Sequence, residues 1–150
     1  EAFHKSQLAA GQRLPDSGTV FISVNDRDKP GLPEVAGNFS DLGFRIIATS
    51  GTAKVIADAG IPVEVVSKVH EGGPSIVDRL AGKEVDLVIN TPSGKHTARD
   101  SRAIRRAALT YKVPYCTTLS AAKASATAIA NRRKDNHVES LQEYYSRERA

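Results

Sequence analysis

The chain has 150 residues, of which 40% are hydrophobic and 25% charged, which is the size and composition of one globular domain. Its net charge is +4, but aromatic residues make up only 5%, so we expect the basic residues to lie on solvated helix faces and to bind no nucleic acid. No apolar run reaches the roughly 20 residues of a membrane helix, so no membrane partner is expected. The start of the chain also lacks the apolar core of a signal peptide.

A single cysteine, Cys116, excludes an internal disulfide and a cysteine-rich zinc site, so we predict a cytoplasmic protein. The chain contains no methionine, and we expect it to be a piece cut from a longer protein. Residues 1–18 are weakly periodic and end in a turn-rich stretch, which is typical of a linker or the end of a preceding domain. The predicted domain is 19–131, and residues 132–150 are a predicted tail carrying a last helix at 140–149.

In chain order, short β-branched or apolar runs predict five strands, at 19–24, 45–49, 62–66, 87–89 and 113–117. Helical patterns lie between and after them, at 32–42, 52–59, 75–81, 100–111 and 120–130. Gly43 and Gly60 are placed to end two of these helices. The alternation predicts a three-layer, doubly wound α/β fold, in which a five-stranded, mainly parallel sheet has helices on both faces.

Ligands of such sheets bind outside the carboxyl ends of the strands. After the second predicted strand, Thr49, Ser50, Gly51 and Thr52 bring hydroxyl groups and a glycine to the start of a helix. Free backbone N–H groups, the positive end of the helix dipole and the hydroxyl donors together predict a phosphate site. The alternative is that Thr49 or Ser50 merely caps the helix.

Three other strand ends carry groups that suit an anion. Lys29 follows the first strand, Lys68 follows the third, and Asn90, Thr91 and Ser93 follow the fourth. Together with the threonine-containing loop they predict an anionic ligand, although the chain has neither a P-loop nor a dinucleotide-binding glycine motif.

We find no catalytic constellation in the sequence. His70 and Glu71 are adjacent in a predicted glycine- and proline-containing turn, and the four histidines are isolated, so no metal site is predicted. Cys116 lies on the last predicted strand and is expected to be a small buried apolar residue.

Short motifs along the chain resemble those of the methylglyoxal-synthase-like domain at the C-terminal end of the carbamoyl phosphate synthetase large subunit. The matching pieces, in order, are FISV at 21–24, DK at 28–29, GF at 43–44, ATSGT at 48–52, AGI at 59–61, KVHEG at 68–72, VINT at 88–91, SG at 93–94, IRR at 104–106, YKV at 111–113 and TT at 117–118. The first seven residues also look like the end of the preceding synthetase domain.

The resemblance implies a regulatory nucleotide as ligand, commonly UMP as inhibitor or IMP as activator, with its phosphate at the threonine-containing loop. The contacts that it implies, with Ser50 and Ser93 added from the strand-end loops, are Ser23, Lys29, Thr49, Ser50, Thr52, Lys68, Asn90, Thr91 and Ser93. It implies no cofactor in this domain, because ATP, magnesium and bicarbonate belong to other domains of the parent enzyme. The implied partners are those other domains and, through the parent, the glutaminase small subunit. The resemblance leaves oligomerisation open.

Three residues depart from the enteric bacterial pattern. Pro92 replaces a threonine, Ser50 replaces a histidine, and Cys116 replaces an aspartate linked to ornithine sensing. The ATSGTAK and INTPSG segments are closer to cyanobacterial or plastid versions of the domain. A plant source would imply a location in the plastid stroma.

The alternative function is that of methylglyoxal synthase, a phosphate lyase that acts on a triose phosphate. That family carries its catalytic aspartate after a Gly-Gly pair, whereas Gly72 and Gly73 are followed here by Pro74, which cannot be a general base. The sequence therefore favours an effector-binding domain that performs no chemistry itself.

Overall fold

The computed structural model describes residues 14–66, 75–91 and 94–149, with side chains in 14–66, 75–91 and 101–135. Five strands form one sheet: β1 (Thr19–Ser23), β2 (Arg45–Ala48), β3 (Glu64–Val65), β4 (Leu87–Asn90) and β5 (Tyr115–Cys116). Their order is β3-β2-β1-β4-β5, and every neighbouring pair is parallel. The predicted fold class is confirmed, and the sheet is wholly parallel rather than mainly so.

The helices are α1 (Leu32–Asp41), α2 (Ser50–Asp58), α3 (Ile76–Ala81), α4 (Gly94–Thr110) and α5 (Leu119–Arg149). A 3-10 helix, Asp26–Gly31, replaces the loop that was expected after the first strand. Its start is fixed by Asn25, whose side-chain oxygen accepts a hydrogen bond from the Asp28 backbone N–H at 2.8 Å. This capping is the usual role of an asparagine that precedes a helical turn.

Two apolar cores lie on opposite faces of the sheet. One joins α1, α2 and α5 to alternate strand residues that include Ile22, Ala48 and Ile89. The other joins α3 and α4 to the intervening strand residues, among them Phe21 and Val88. Because side chains alternate between the faces of a strand, this division explains why β1 and β4 are apolar almost throughout.

Several predicted boundaries are wrong. The first turns of α4 begin at Gly94 rather than at 100, and no proline interrupts the chain between these positions. The helices predicted at 120–130 and 140–149 are one continuous helix, because the polar segment between them contains no proline or glycine.

The positions that end the helices share one backbone conformation. Gly43 and Gly60, predicted as helix stops, have positive φ of 86° and 82°. After α3 and α4 the same left-handed conformation is taken by lysines, Lys83 at 59° and Lys112 at 58°. A residue with a β-carbon is strained in this region, so these two lysines cost stability that glycine would not.

The segment that leads into β1 is fastened to α5 by two arginines. Arg132 donates from Nη2 to the Leu14 carbonyl at 2.8 Å and pairs with the Asp16 carboxylate at 2.6 Å. Arg133 donates to the Leu42 and Asp16 carbonyls, and its guanidinium lies 5.7 Å from the centre of the Phe44 ring. Residues 14–16 and α5 are therefore held together at one side of the body.

Candidate functional site

The strand order places a topological switch point between β1 and β4, because the chain runs from β1 outward to β3 and then crosses to β4. Doubly wound sheets bind ligands in the crevice that opens at this point. Two hydrogen bonds join the strand ends there: the Thr91 N–H donates to the Ser23 carbonyl at 3.0 Å, and the Asn25 N–H donates to Thr91 Oγ1 at 2.9 Å. The Thr91 side chain thus ties the end of β4 to the residues that follow β1.

A cluster of three hydroxyls lies at the carboxyl ends of β1 and β2. Thr49 Oγ1 is 3.3 Å from Ser23 Oγ and 3.4 Å from Thr52 Oγ1, and Thr52 Oγ1 accepts from the Val24 N–H at 3.2 Å. Thr49 and Thr52 are buried, whereas Ser23 is partly exposed. Hydroxyls can donate as well as accept, so the cluster can turn its hydrogens toward an anion without moving the backbone.

The hydroxyl cluster meets the N-terminus of α2, where the orphan N–H groups of the first turn point out of the helix. Thr49 is the N-cap residue by position, with extended backbone, but its side chain makes no capping hydrogen bond. Ser50 is the exposed first residue of the helix. The alternative that Thr49 is merely a side-chain cap is therefore wrong. Helix N-termini carry N–H donors and a partial positive charge.

Lys29 brings a full positive charge to the same place. A β-carbon at Gly51 would lie 3.6 Å from Lys29 Nζ, so the ammonium is beside the first turn of α2. The ammonium also pairs with the Asp26 carboxylate one turn earlier in the 3-10 helix. The hydrogen bond and charge of Lys29 lower the pKa of Asp26.

Asn90 occupies the last position of β4, where it is 97% buried, and its side-chain amide donates to the Tyr115 hydroxyl at 2.8 Å. Burial raises the pKa of Tyr115, although the hydrogen bond from Asn90 and the charge of Arg105 oppose the increase. Tyr115 was not predicted from the sequence, because an aromatic residue in a strand is ordinarily only part of the core. The signal that could have found it is the need of a buried asparagine for a partner.

Of the nine predicted site residues, the structure brings Ser23, Thr49, Ser50, Thr52, Lys29, Asn90 and Thr91 to one edge of the sheet. Lys68 and Ser93 lie outside the described residues, as do the His70–Glu71 turn and Pro92.

The expectation for Cys116 is confirmed. It is fully buried in the core beside α5, with Sγ 3.6 Å from Ser125 Oγ, and burial raises the pKa of its thiol. Such a thiol is inert.

In the part of the chain that the structure describes, no three histidine, cysteine, aspartate or glutamate side chains are grouped so that they could hold a metal. No helix in that part is long and apolar enough to cross a membrane.

The fold and the crevice define a class of protein: a doubly wound parallel α/β domain with hydroxyl, amide and ammonium groups at the carboxyl edge of its sheet. Residues 31–117 match the model of the MGS-like domain family. The chain belongs to the MGS-like domain family.

Relatives at high identity extend the match beyond these residues. The chain is 54% identical over 143 residues to the carbamoyl phosphate synthase large chain of Acidobacterium capsulatum, covering 95% of this chain and 13% of that relative. It is 54% identical over 129 residues to the carbamoyl phosphate synthase large chain, C-terminal section, of Methanopyrus kandleri, covering 85% of this chain and 24% of that protein. The chain therefore spans a small part of the relatives that it matches.

A solved structure of methylglyoxal synthase from Elizabethkingia anophelis has the same fold. It superposes with a TM-score of 0.62 and 22% sequence identity, and the match covers 75% of this chain and 79% of the other. The likeness at this identity concerns the fold alone.

Proposed function

We propose that the chain is an effector domain that binds a regulatory nucleotide of the UMP or IMP type. The observation that carries this proposal is the convergence of the Ser23, Thr49 and Thr52 hydroxyls and the Lys29 ammonium on the uncapped N-terminus of α2. Such a set of donors suits a phosphate monoester, because it offers a charge, a helix dipole and several hydrogen bonds to one group.

The remaining polar residues suit the rest of a nucleotide. Neighbouring strands are about 4.8 Å apart, so the ends of β2 and β4, which flank β1, are about 10 Å apart. A phosphate at the start of α2 then leaves Asn90 and Thr91 within reach of the ribose or the base. In this proposal Lys68 and Ser93, which follow β3 and β4 in the sequence, complete the site.

The parent protein in this proposal is the large chain of a glutamine-hydrolysing carbamoyl phosphate synthetase. This enzyme is an ATP-dependent ligase that makes carbamoyl phosphate for arginine and pyrimidine synthesis. The high identity to large chains from several organisms supports this assignment. ATP, magnesium and bicarbonate would bind elsewhere in the parent, and the partners would be its other domains and the glutaminase small subunit.

We propose no chemistry in the chain itself. Pro74, after Gly72 and Gly73, stands where methylglyoxal synthase carries its catalytic aspartate. The chain would act by binding its effector with different affinity in the high- and low-activity states of the parent, since only a differential affinity shifts an equilibrium.

The test is calorimetric titration of the purified chain with UMP, IMP and inorganic phosphate at moderate salt. We expect saturable binding of UMP or IMP at one site, tighter than the binding of phosphate. Thr49→Val should weaken both ligands by about tenfold, because it removes one hydrogen bond to a charged group. Thr118→Val is the matched control, since Thr118 is an exposed threonine that caps α5 through the Ala121 N–H at 3.0 Å.

Failure of both nucleotides to bind would contradict the proposal. If the Thr49 and Thr118 variants lost ligand affinity equally, the loss would be due to a general decrease in stability and not to a contact with the ligand. Lys68→Ala should weaken nucleotide binding without unfolding the chain, and an unchanged affinity would remove Lys68 from the site.

A further inference from the structure

We propose that Tyr115 is a positioning residue of the nucleotide site, which acts by holding the side-chain amide of Asn90 in one orientation. The inference rests on the proposed function and deepens it, because it concerns how the end of the site remote from the phosphate selects a ligand. Tyr115 is absent from the predicted contacts and lies on β5, one strand beyond the switch point.

The contact between the two residues is buried and short. Asn90 is 3% exposed and Tyr115 is 8% exposed, and the amide nitrogen lies 2.8 Å from the phenol oxygen. β4 and β5 pair in parallel with Val88 opposite Tyr115, so Asn90, two residues after Val88, projects from the same face of the sheet. The strand register itself therefore brings the phenol to the amide.

Tyr115 is a rigid support for this hydrogen bond. Its ring packs in the core between the sheet and α4, with Ile104 and Val113 in the same cluster. Because burial raises the pKa of the phenol, Tyr115 stays neutral around neutral pH and places no charge in the crevice. A buried amide without a partner would lose a hydrogen bond, so the phenol both satisfies Asn90 and restricts its rotation.

Fixing the amide in this way has a chemical consequence for the ligand. One N–H of the Asn90 amide is engaged by Tyr115, and the second remains a donor. The amide oxygen is left as an acceptor for a ligand group that donates a hydrogen bond. Ribose hydroxyls and the ring N–H of an oxo-substituted base are such groups, whereas the phosphate is bound at α2. Tyr115 should thus matter for nucleoside recognition and leave phosphate binding alone.

The experiment compares Tyr115→Phe with the unsubstituted chain by calorimetry, using UMP, IMP and inorganic phosphate as separate ligands. We expect the Kd of the nucleotide that binds to rise by about three- to tenfold, the value of one net hydrogen bond, with the Kd of phosphate unchanged. Tyr111→Phe is the matched control, because Tyr111 is 40% exposed and belongs to the turn that ends α4. It should leave both affinities unchanged.

A double-mutant cycle separates positioning from a general structural role. If Tyr115 acts through Asn90, Tyr115→Phe should add nothing to the loss caused by Asn90→Ala, so the double variant should match the single Asn90 variant. Additive losses, an unchanged nucleotide affinity in Tyr115→Phe, or equal weakening of phosphate would each overturn the proposal.

A measurement on the unsubstituted chain tests the same point if Tyr115→Phe does not fold. The Asn90 side-chain amide protons should exchange slowly with solvent in nuclear magnetic resonance spectra, and rapid exchange would overturn the proposal. If the unsubstituted chain binds phosphate but no nucleotide, the proposed function fails and the role of Tyr115 falls with it. If a nucleotide binds and only the Tyr115 expectations fail, the proposed function stands.

Discussion

The ammonium of Lys29 forms an ion pair with the Asp26 carboxylate, and the pair lies beside the first turn of α2. The positive charge that would meet a phosphate is thus partly balanced by a neighbouring carboxylate. Lys29 is mostly covered, whereas Asp26 is almost fully exposed, so the carboxylate can swing away into water when an anion takes its place.

Asp26→Asn is therefore expected to strengthen anion binding. Removing the competing carboxylate should lower the Kd of inorganic phosphate by about two- to fivefold at low salt, with a smaller effect at high salt because exposed charges are screened. Titration calorimetry at two salt concentrations measures both effects. Asp41→Asn, an exposed substitution at the far end of α1, is the control. Weaker phosphate binding by Asp26→Asn would contradict this account of the pair.

Gly51→Ala should weaken phosphate binding without destabilising the protein. The added methyl group would lie 3.6 Å from Lys29 Nζ, an ordinary contact, but it would occupy space beside the first-turn N–H groups of α2. We expect the Kd of phosphate to rise by about five- to tenfold, the equivalent of one impaired hydrogen bond to a charged group.

The matched control for Gly51→Ala is Gly37→Ala in α1, where a β-carbon would lie 3.9 Å from the nearest atom, Ile61 Cδ1. That variant should be more stable by up to about 1 kcal/mol, with unchanged phosphate affinity. Thermal unfolding and calorimetry measure the two properties separately. An unchanged affinity in Gly51→Ala would show that the ligand does not approach this turn.

The pH dependence of stability should contain a contribution from Glu64 on β3. Glu64 pairs with Arg79 at 2.6 Å and with Arg45, and these partners lower its pKa below the ordinary 4.5, against the opposing effect of burial. Because the folded-state pKa is the lower one, this stabilisation is present above pH 4.5 and is lost as the pH falls through the folded-state value.

Glu64→Gln should therefore flatten the fall in unfolding free energy below pH 4.5. The effect should be on the order of 1 kcal/mol or less, because Glu64 is 34% exposed. Urea unfolding at pH 7 and at about pH 3.5 measures it, with Glu34→Gln as the control. Glu34 has one exposed partner, Lys123, at 2.6 Å. Equal pH dependence in the Glu64 variant and the unsubstituted chain would refute the assignment.

Lys112→Gly is expected to stabilise the protein by about 1 kcal/mol. Lys112 has φ of 58° at the end of α4, where its N–H and that of Val113 close the helix on the Leu109 and Ala108 carbonyls. Glycine takes this conformation without strain. The same substitution at Lys54, an exposed residue inside α2, should instead destabilise by about 1 kcal/mol. Denaturant unfolding of both variants measures the difference in sign.

Local patterns in the sequence were enough to predict the fold. The β-branched run of β1 and the apolar run of β4 follow from burial on both faces, and Gly43 and Gly60 mark helix ends because of their backbone freedom. Lys83 and Lys112 could not be predicted as helix ends, since lysine has no intrinsic preference for the left-handed conformation that both adopt. The continuity of α5 was likewise missed, although its sequence lacks any breaker.

The placement of most candidate site residues at one edge of the sheet could be predicted from the strand ends. Thr49, Thr52, Asn90 and Thr91 follow strands whose carboxyl ends must share one edge in a parallel sheet. What the sequence could not provide was the pairing between residues far apart in the chain. The contact of Asn90 with Tyr115 and the bond of Thr91 to Asn25 depend on strand order and register, which no local pattern encodes.

The two arginines that fasten residues 14–16 to α5 give the segment before β1 a second attachment. β1 is the central strand of the sheet and carries Ser23 at its end, so this segment leads directly toward the crevice. Arg132 and Arg133 also join it to a helix of 31 residues. A displacement of residues 14–16 therefore has to break these arginine contacts or carry α5 with it.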